Sequence, residues 1–335
     1  MIWCYRDVAT VERNRAHGSL RQIEQASFVL PLRVVNLKPI FDTNIFDHVQ
    51  RGLISSRDWS HLLRHRPRRG WPLSQVTAFE LLAGVHFAGS KGFAQVRRRI
   101  EIAYNLSKGR VLDDPRILIC KNILGIPFPA DKIAPAASTA SRYLDAVRRA
   151  QTLEQLLRTG VPYRGKRLRL KATSVLADLM VGPKRQWIDA AEAMANEKFP
   201  GWRELFQTEG KRLPHQMRKE LEPRSAWEAQ RSAFIDALLD WLGASPDPKV
   251  ASDLHGRLDA VLEFTVFVAR EFLLQNYSLE KHQSDVFDAF QLEYLAMDEF
   301  VIVSGDADLS HRTSRSSQAC RIVSFDEFVR SIDAV

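Results

Sequence analysis

Cysteine is scarce in this sequence. There are three in 335 residues, Cys4, Cys120 and Cys320, far apart and odd in number, with no CxxC pair among them. That excludes a zinc knuckle and a disulfide framework, and it fits a reducing compartment. Long apolar runs are missing too. The most apolar stretch, residues 260–274, is interrupted by Glu263, Arg270 and Glu271, so it is expected to form a buried amphipathic helix and not a membrane span. The first residues, Met1 to Asp7, lack a basic segment followed by an apolar one, so no secretory signal is expected and a cytoplasmic location is. Internal repeats and low-complexity tracts are also absent.

What is present is an ordinary globular composition, 45% hydrophobic and 26% charged, which excludes wholesale disorder. The length allows one large domain with an insertion, or two domains. Forty-eight Lys and Arg against 40 Asp and Glu give a net charge of +8, and a basic balance favours polyanionic partners, nucleic acid first.

Residues 1–33 show no clear period. The first strand signal is residues 34–41, rich in β-branched and apolar side chains and ended by Asp42. Pro39 cannot donate to a ladder, which predicts a short strand or one with an irregular edge. Thr43 or Asn44 is placed to cap the next helix. A basic loop spans residues 64–71, residues 72–77 read as a short strand or lead-in, and a helix begins at Ala78. From about 90 to 275 the pattern is mostly helical: Leu144, Val147, Leu153 and Leu157 mark one helix, Phe234 to Leu242 another, and Leu254 to Ala269 a third. Residues 284–297 then read as a helix, Phe300–Val303 as a buried strand, residues 321–323 as a last strand and 325–332 as a final helix. Strands alternating with helices predict an α/β sheet with parallel strands, whose functional residues gather beyond the strands' carboxyl ends. Asp42 and Asp306 stand at such ends.

Converging carboxylates are costly unless a cation sits among them, and magnesium or manganese prefers hard oxygen ligands. Here the sequence resembles the PIN-domain nucleases. Ile40-Phe-Asp-Thr-Asn44 looks like the family's opening motif, Thr77 to Gly84 like its second, and Ser284-Asp-Val-Phe-Asp288 with Phe300 to Leu309 like its third and fourth. Arg321 to Phe328 is similar to its closing strand and helix. The resemblance covers roughly residues 34–86 and 278–332. It implies a three-layer α/β/α fold with a central parallel sheet, built from residues 34–88 and 278–335, with a large, mostly α-helical insertion or cap at 89–277. That insertion departs from the compact family pattern, since 208 positions separate Glu80 from Asp288.

The resemblance also implies roles. Asp42, Glu80, Asp288 and Asp306 would hold Mg2+ or Mn2+ and carry catalysis; Asn44 would orient the first ligand, and Ser304 and Asp308 would stand behind or beside the metal. Asp285, three residues before Asp288 and on the same helix face, is a further candidate ligand that could instead favour the helix start through the backbone dipole. Asp42 could also be a plain helix cap, Glu80 a solvated helix residue and Asp308 a loop residue. The expected activity is a metal-dependent endoribonuclease, with a cognate antitoxin and a homodimer as possible partners. The alternatives are a PIN-like module that binds nucleic acid or protein without cutting, and a structure-specific DNA nuclease, for which no helix-hairpin-helix element is found. Arg66, Arg68 and Arg69 of the basic loop and Arg97, Arg98 and Arg99 are candidates for phosphate contacts, against the plain reading of solvated faces. His61 and His65 have the spacing of a helical zinc pair, but no Glu at the second position and no third ligand accompany them, so they read as surface residues.

Overall fold

The computed structural model describes residues 37–130, 137–159, 161–163, 166–168, 219–245, 247–275 and 285–333, with scattered positions between 189 and 204. The readings made for residues 1–36 lie outside the described residues.

Phe300–Val303 is uniformly apolar and completely buried, the pattern of a strand covered on both faces. It is the central member of a small parallel sheet. In chain order the strands are β1 (Lys38–Phe41), β2 (Val161–Tyr163), β3 (Lys166–Leu168), β4 (Phe300–Val303) and β5 (Ile322–Val323). The sheet runs β1-β4-β5, all parallel, and β2 and β3 form a separate antiparallel ribbon. Lys38 and Asp42 donate their N–H groups to Glu299 and Val303 of the β4 side. Pro39 falls on the opposite phase, with its nitrogen toward the open edge of β1, where no donor is needed. The strand is accordingly short.

The helices are α1 (Thr43–Arg51), α2 (Ser56–His65), α3 (Gln75–Ser107), α4 (Pro115–Ile119), α5 (Ala137–Arg149), α6 (Leu153–Thr159), α7 (Glu228–Trp241), α8 (Pro248–Arg257), α9 (Asp259–Gln275), α10 (Asp285–Leu292), α11 (Ala307–Arg312) and α12 (Phe325–Asp333). Alternation along the strands sends side chains to two apolar layers. Ile40, Phe300 and Ile302 join Ile235, Leu254, Val261, Phe264 and Leu292 from α7 to α10. Phe41, Val301 and Val303 join Phe46, Leu62, Leu82, Ile100, Leu144 and Phe328 from α1, α2, α3, α5 and α12. Each such Leu, Ile or Phe contributes about 1.5–3 kcal/mol by leaving water. The result is a parallel sheet with helices on both faces, to which the middle of the chain contributes on each side. No helix among the described residues is long and apolar enough to cross a membrane, and residues 260–274 lie within α9.

A buried ion network locks one layer. Arg231, fully enclosed, reaches Asp259 at 2.6 Å and Glu263 at 3.3 Å, so α7 and α9 are joined by charge as well as by apolar contact.

Four expectations need correction. Residues 72–77, read as a short strand or a lead-in, are a lead-in in which only Leu73 makes a bridge, to Val111, and the helix expected from Ala78 starts earlier, at Gln75, with the Ser74 hydroxyl capping α3 by accepting from Thr77 N–H. The predicted helix through Leu144 and Leu157 is two, because Thr152 accepts from Gln155 N–H and starts α6 afresh. The stretch from Leu254 to Ala269 also divides, at Leu258. The helix expected to reach Met297 tightens into a 3-10 turn at Glu293–Ala296.

α3 is itself two arms. Gly89 adopts φ 55°, ψ −164°, a region essentially reserved for glycine. A straight helix would carry residues 84 and 96 about 18 Å apart. Instead a Cβ on Gly84 would lie 3.5 Å from Val96, so the second arm folds back on the first. A Cβ on Gly89 would meet nothing within 4 Å, so only its backbone matters. Gly89→Ala should therefore lower the unfolding free energy by about 1–3 kcal/mol in urea denaturation without a clash to relieve. An unchanged midpoint would mean that the reversal does not depend on this glycine.

Candidate metal centre at the ends of two parallel strands

Register fixes the centre of the site. Phe41 pairs with Val303, so the next residues, Asp42 and Ser304, emerge side by side. Asp42 N–H donates to the Val303 carbonyl at 3.0 Å, and Ser304 N–H to that of Val323 at 3.0 Å. The Asp42 carboxylate is buried and fully engaged. Oδ1 accepts from Thr43 N–H at 2.6 Å, while Oδ2 accepts from Ser304 Oγ at 2.7 Å and Asn44 Nδ2 at 2.7 Å. Asp42 itself therefore caps α1, where Thr43 or Asn44 was expected to. Asn44 Oδ1 takes Gly305 N–H at 2.9 Å, and the Ser304 hydroxyl takes Asp306 N–H at 3.0 Å. Gly305 is required by close approach: a Cβ there would stand 2.6 Å from the His48 ring.

Two helices bring the other carboxylates. Glu80 lies on the first arm of α3, and its Oε2 accepts from the Thr43 hydroxyl. Asp288 lies buried on α10. The two helices are tied together behind these residues. Thr77 Oγ1 is 3.0 Å from the Phe41 carbonyl and 2.9 Å from Gln291 Oε1, and the Tyr294 hydroxyl accepts from Gln75 N–H at 3.0 Å and donates to the Asp113 carbonyl at 2.8 Å. Asp306 is half-buried at the start of α11, where it accepts from Asp308 N–H at 2.8 Å.

The electrostatics follow from this crowding. Burial lifts the Asp42 carboxyl above its ordinary range and Asp306 adds to the rise, against the hydrogen bonds from Ser304, Thr43 and Asn44. Burial, then the charge of Asp42, pushes Glu80 up to about 8, with Thr43 and Arg99 opposing. Asp288 is raised well above the usual carboxylate range, by burial and then by Asp42, Glu80, Asp285 and Asp306. These acids thus crowd one another, and the charges named as acting on Asp288 all raise it.

The remaining candidates fall elsewhere. Asp285 is buried but turned to Arg312, 2.9 Å away, which also reaches Glu271 at 3.3 Å; its charge still adds to the rise of Asp288. Asp308 is exposed. Among the arginines, Arg97 holds the Ala150 carbonyl and Gln151, Arg99 holds Gln50 and Asp47, and Arg66 holds the Asn105 carbonyl. Those three serve the protein's own groups, whereas Arg68, Arg69 and Arg98 are exposed. His61 and His65 do have a third companion, contrary to the sequence reading: Asp333, at the end of α12, with the three ligand atoms within 4.8 Å of one another. Among the described residues this is the group of three potential ligands that comes closest together, so the structure offers a His/His/Asp cluster able to bind a metal as well as the looser carboxylate group.

Sequence reasoning missed Thr43, Gln291, His48 and Asp333. Thr43 stood inside the quoted motif; Asp333 lies 272 positions from His61, and no spacing rule reaches that far. No family model, no curated protein and no solved structure matches the chain.

The raised acids set a pH dependence. In the metal-free protein Glu80, Asp42 and Asp288 are all raised, so each favours the folded state at low pH and that contribution is lost as pH rises; for Glu80 it is fully present below about 4.5 and lost as pH rises through about 8. Thermal unfolding in a chelator should show stability falling across that window. Asp288→Asn should flatten the fall and raise the midpoint at pH 8; a steeper fall, or a lower midpoint in the variant, would contradict the crowding.

Proposed function

We propose that this chain is a metal-dependent nuclease of the PIN type, acting on RNA, with Asp42, Glu80, Asp288 and Asp306 holding magnesium or manganese. The observation that carries the reading is Asp288: a buried carboxylate raised by burial and by the charges of Asp42, Glu80, Asp285 and Asp306. Such a cluster is stable in its charged form only around a hard cation, and an all-oxygen donor set suits these two ions. The parallel sheet with helices on both faces, and the carboxyl ends of β1 and β4 beneath the acids, support the same assignment.

Bound magnesium or manganese would supply activation of water for attack on phosphorus and charge balance for the leaving oxygen. The protein's own residues do the positioning. Ser304 and Asn44 fix the rotamer of Asp42 and oppose the rise of its carboxyl, and Thr43 fixes Glu80. No covalent intermediate is needed, so no Ser or Cys nucleophile is expected. Exposed Arg68, Arg69 and Arg98 are the arginines left to meet phosphates, and the net charge of +8 favours a polyanionic substrate. RNA, and a cognate antitoxin as partner, follow from the family resemblance.

A panel of single-stranded RNA, stem-loops and flapped DNA, incubated with manganese, tests this. Wild type should cut RNA, Asn44→Ala should lose about 10–100-fold as an orienting residue does, and Asp42→Asn and Asp306→Asn should lose more. Tight binding without cutting would instead favour a non-catalytic module, and cutting that survives both aspartate substitutions would remove the site from consideration.

A further inference from the structure

A second, chemically different group of ligands lies at the far end of α12. His61 and His65 project from one face of α2, one turn apart, with ring centroids 4.5 Å from each other. Asp333 is the last residue of α12, and its Oδ1 is 2.5 Å from His61 Nε2. The ligand atoms of the three residues all lie within 4.8 Å of one another.

The hydrogen bonding around these rings prepares them for a metal. His65 Nδ1 lies 3.1 Å from the His61 carbonyl oxygen. A carbonyl only accepts, so Nδ1 carries the proton and Nε2 keeps its lone pair. This is the arrangement in which ligating histidines are commonly held. Two imidazoles and one carboxylate fill three corners of a tetrahedron and leave the fourth for water. Imidazole ligands select zinc and its transition-metal neighbours over magnesium, which prefers oxygen alone.

We propose that His61, His65 and Asp333 form a zinc-class metal site that clasps the last helix of the chain onto α2. The site is separate in ligand chemistry from the all-carboxylate group at the strand ends and does not depend on the nuclease reading. Without metal, His61 and Asp333 share a proton. The ligands of a tetrahedral ion with bonds of about 2.1 Å stand about 3.4 Å apart, so the pair opens slightly as the ion takes the proton's place. Their side chains are 27% and 52% exposed, and no buried group has to move. Arg64, the nearby cation 3.4 Å from His61 Nδ1, is itself exposed and can swing away.

Its position gives the clasp a consequence. The start of α12 is already seated on α2 by Phe325, stacked on Trp59 at 6.3 Å. Phe328 continues the contact edge-on to Phe41 at 5.6 Å and to Trp71 at 5.9 Å. The site pins the remaining end of the same helix. Phe41 immediately precedes Asp42, so the helix being clasped packs on the strand that presents the first carboxylate.

The test is titration of the chelator-stripped, full-length chain with zinc chloride in a large excess of magnesium, read by calorimetry. The visible spectrum of the cobalt form is recorded as a second readout, and thermal midpoints are taken with and without zinc. Wild type should bind one equivalent, give the intense absorption of tetrahedral cobalt and melt a few degrees higher with zinc. His65→Ala, an exposed position outside the His61–Asp333 bond, should fold as wild type by circular dichroism and lose the equivalent, the cobalt band and the thermal shift together. Asp333→Asn should weaken binding at least about tenfold, and Asp42→Asn should leave it intact. No zinc bound by wild type under excess magnesium, an equivalent that persists in His65→Ala, or one that disappears with Asp42→Asn would each overturn the assignment.

Discussion

Everything at the carboxylate centre depends on one pairing, the parallel register that sets Phe41 opposite Val303. Because the two strands run the same way and end together, the residues that follow them leave the sheet as neighbours. Asp42 and Ser304 meet there for reasons of backbone geometry, before any side-chain preference is considered. The hydrogen bonds from Ser304 and Asn44 to Asp42 then fix its orientation and oppose, without cancelling, the rise that burial imposes on its carboxyl. A one-residue slip of β1 would turn Ile40 out of one apolar layer and Phe41 out of the other, so the cores on both faces enforce the register that the acids need.

The helices extend that constraint. Glu80 and Asp288 arrive from segments far apart in sequence, yet they ride on helices joined by a buried polar network through Ser74, Thr77, Gln291 and Tyr294. Its members sit one turn or so from the acids, and the Phe41 carbonyl is within its reach. The placement of the acids is thus set by the same contacts that close α3 and α10 onto β1. The charge that accumulates is uneven. Asp285 is matched by Arg312, whereas the charges named as acting on Asp288, three residues on, all raise it. On the proposed reading that asymmetry calls for an external cation at one place and not the other.

Parts of this were legible in the sequence because they are local. Phe300–Val303 reads as a doubly covered strand from four apolar residues alone, and the aspartates after β1 and β4 announce themselves by following such runs. Pro39 foretold a short edge strand. What was not legible is what depends on distant partners or on caps. Asp285 and Asp288 share a face, and only Arg312 tells them apart. Thr152 with Gln155 divides a helix whose leucine spacing continues across the break. The arginines at 97 and 99 read as a basic run, but helix packing commits them to a carbonyl and to Gln50 and Asp47. The third member of the histidine cluster could not be found by spacing, since Asp333 lies 272 positions from His61 and meets it only through the packing of α12 on α2.

The most direct measurement is a crystal structure grown with manganese, with anomalous scattering used to locate the ion. The account predicts a peak among Asp42, Glu80, Asp288 and Asp306, with Asp285 still on Arg312. An empty carboxylate centre, with scattering confined to the His61, His65 and Asp333 cluster, would contradict it.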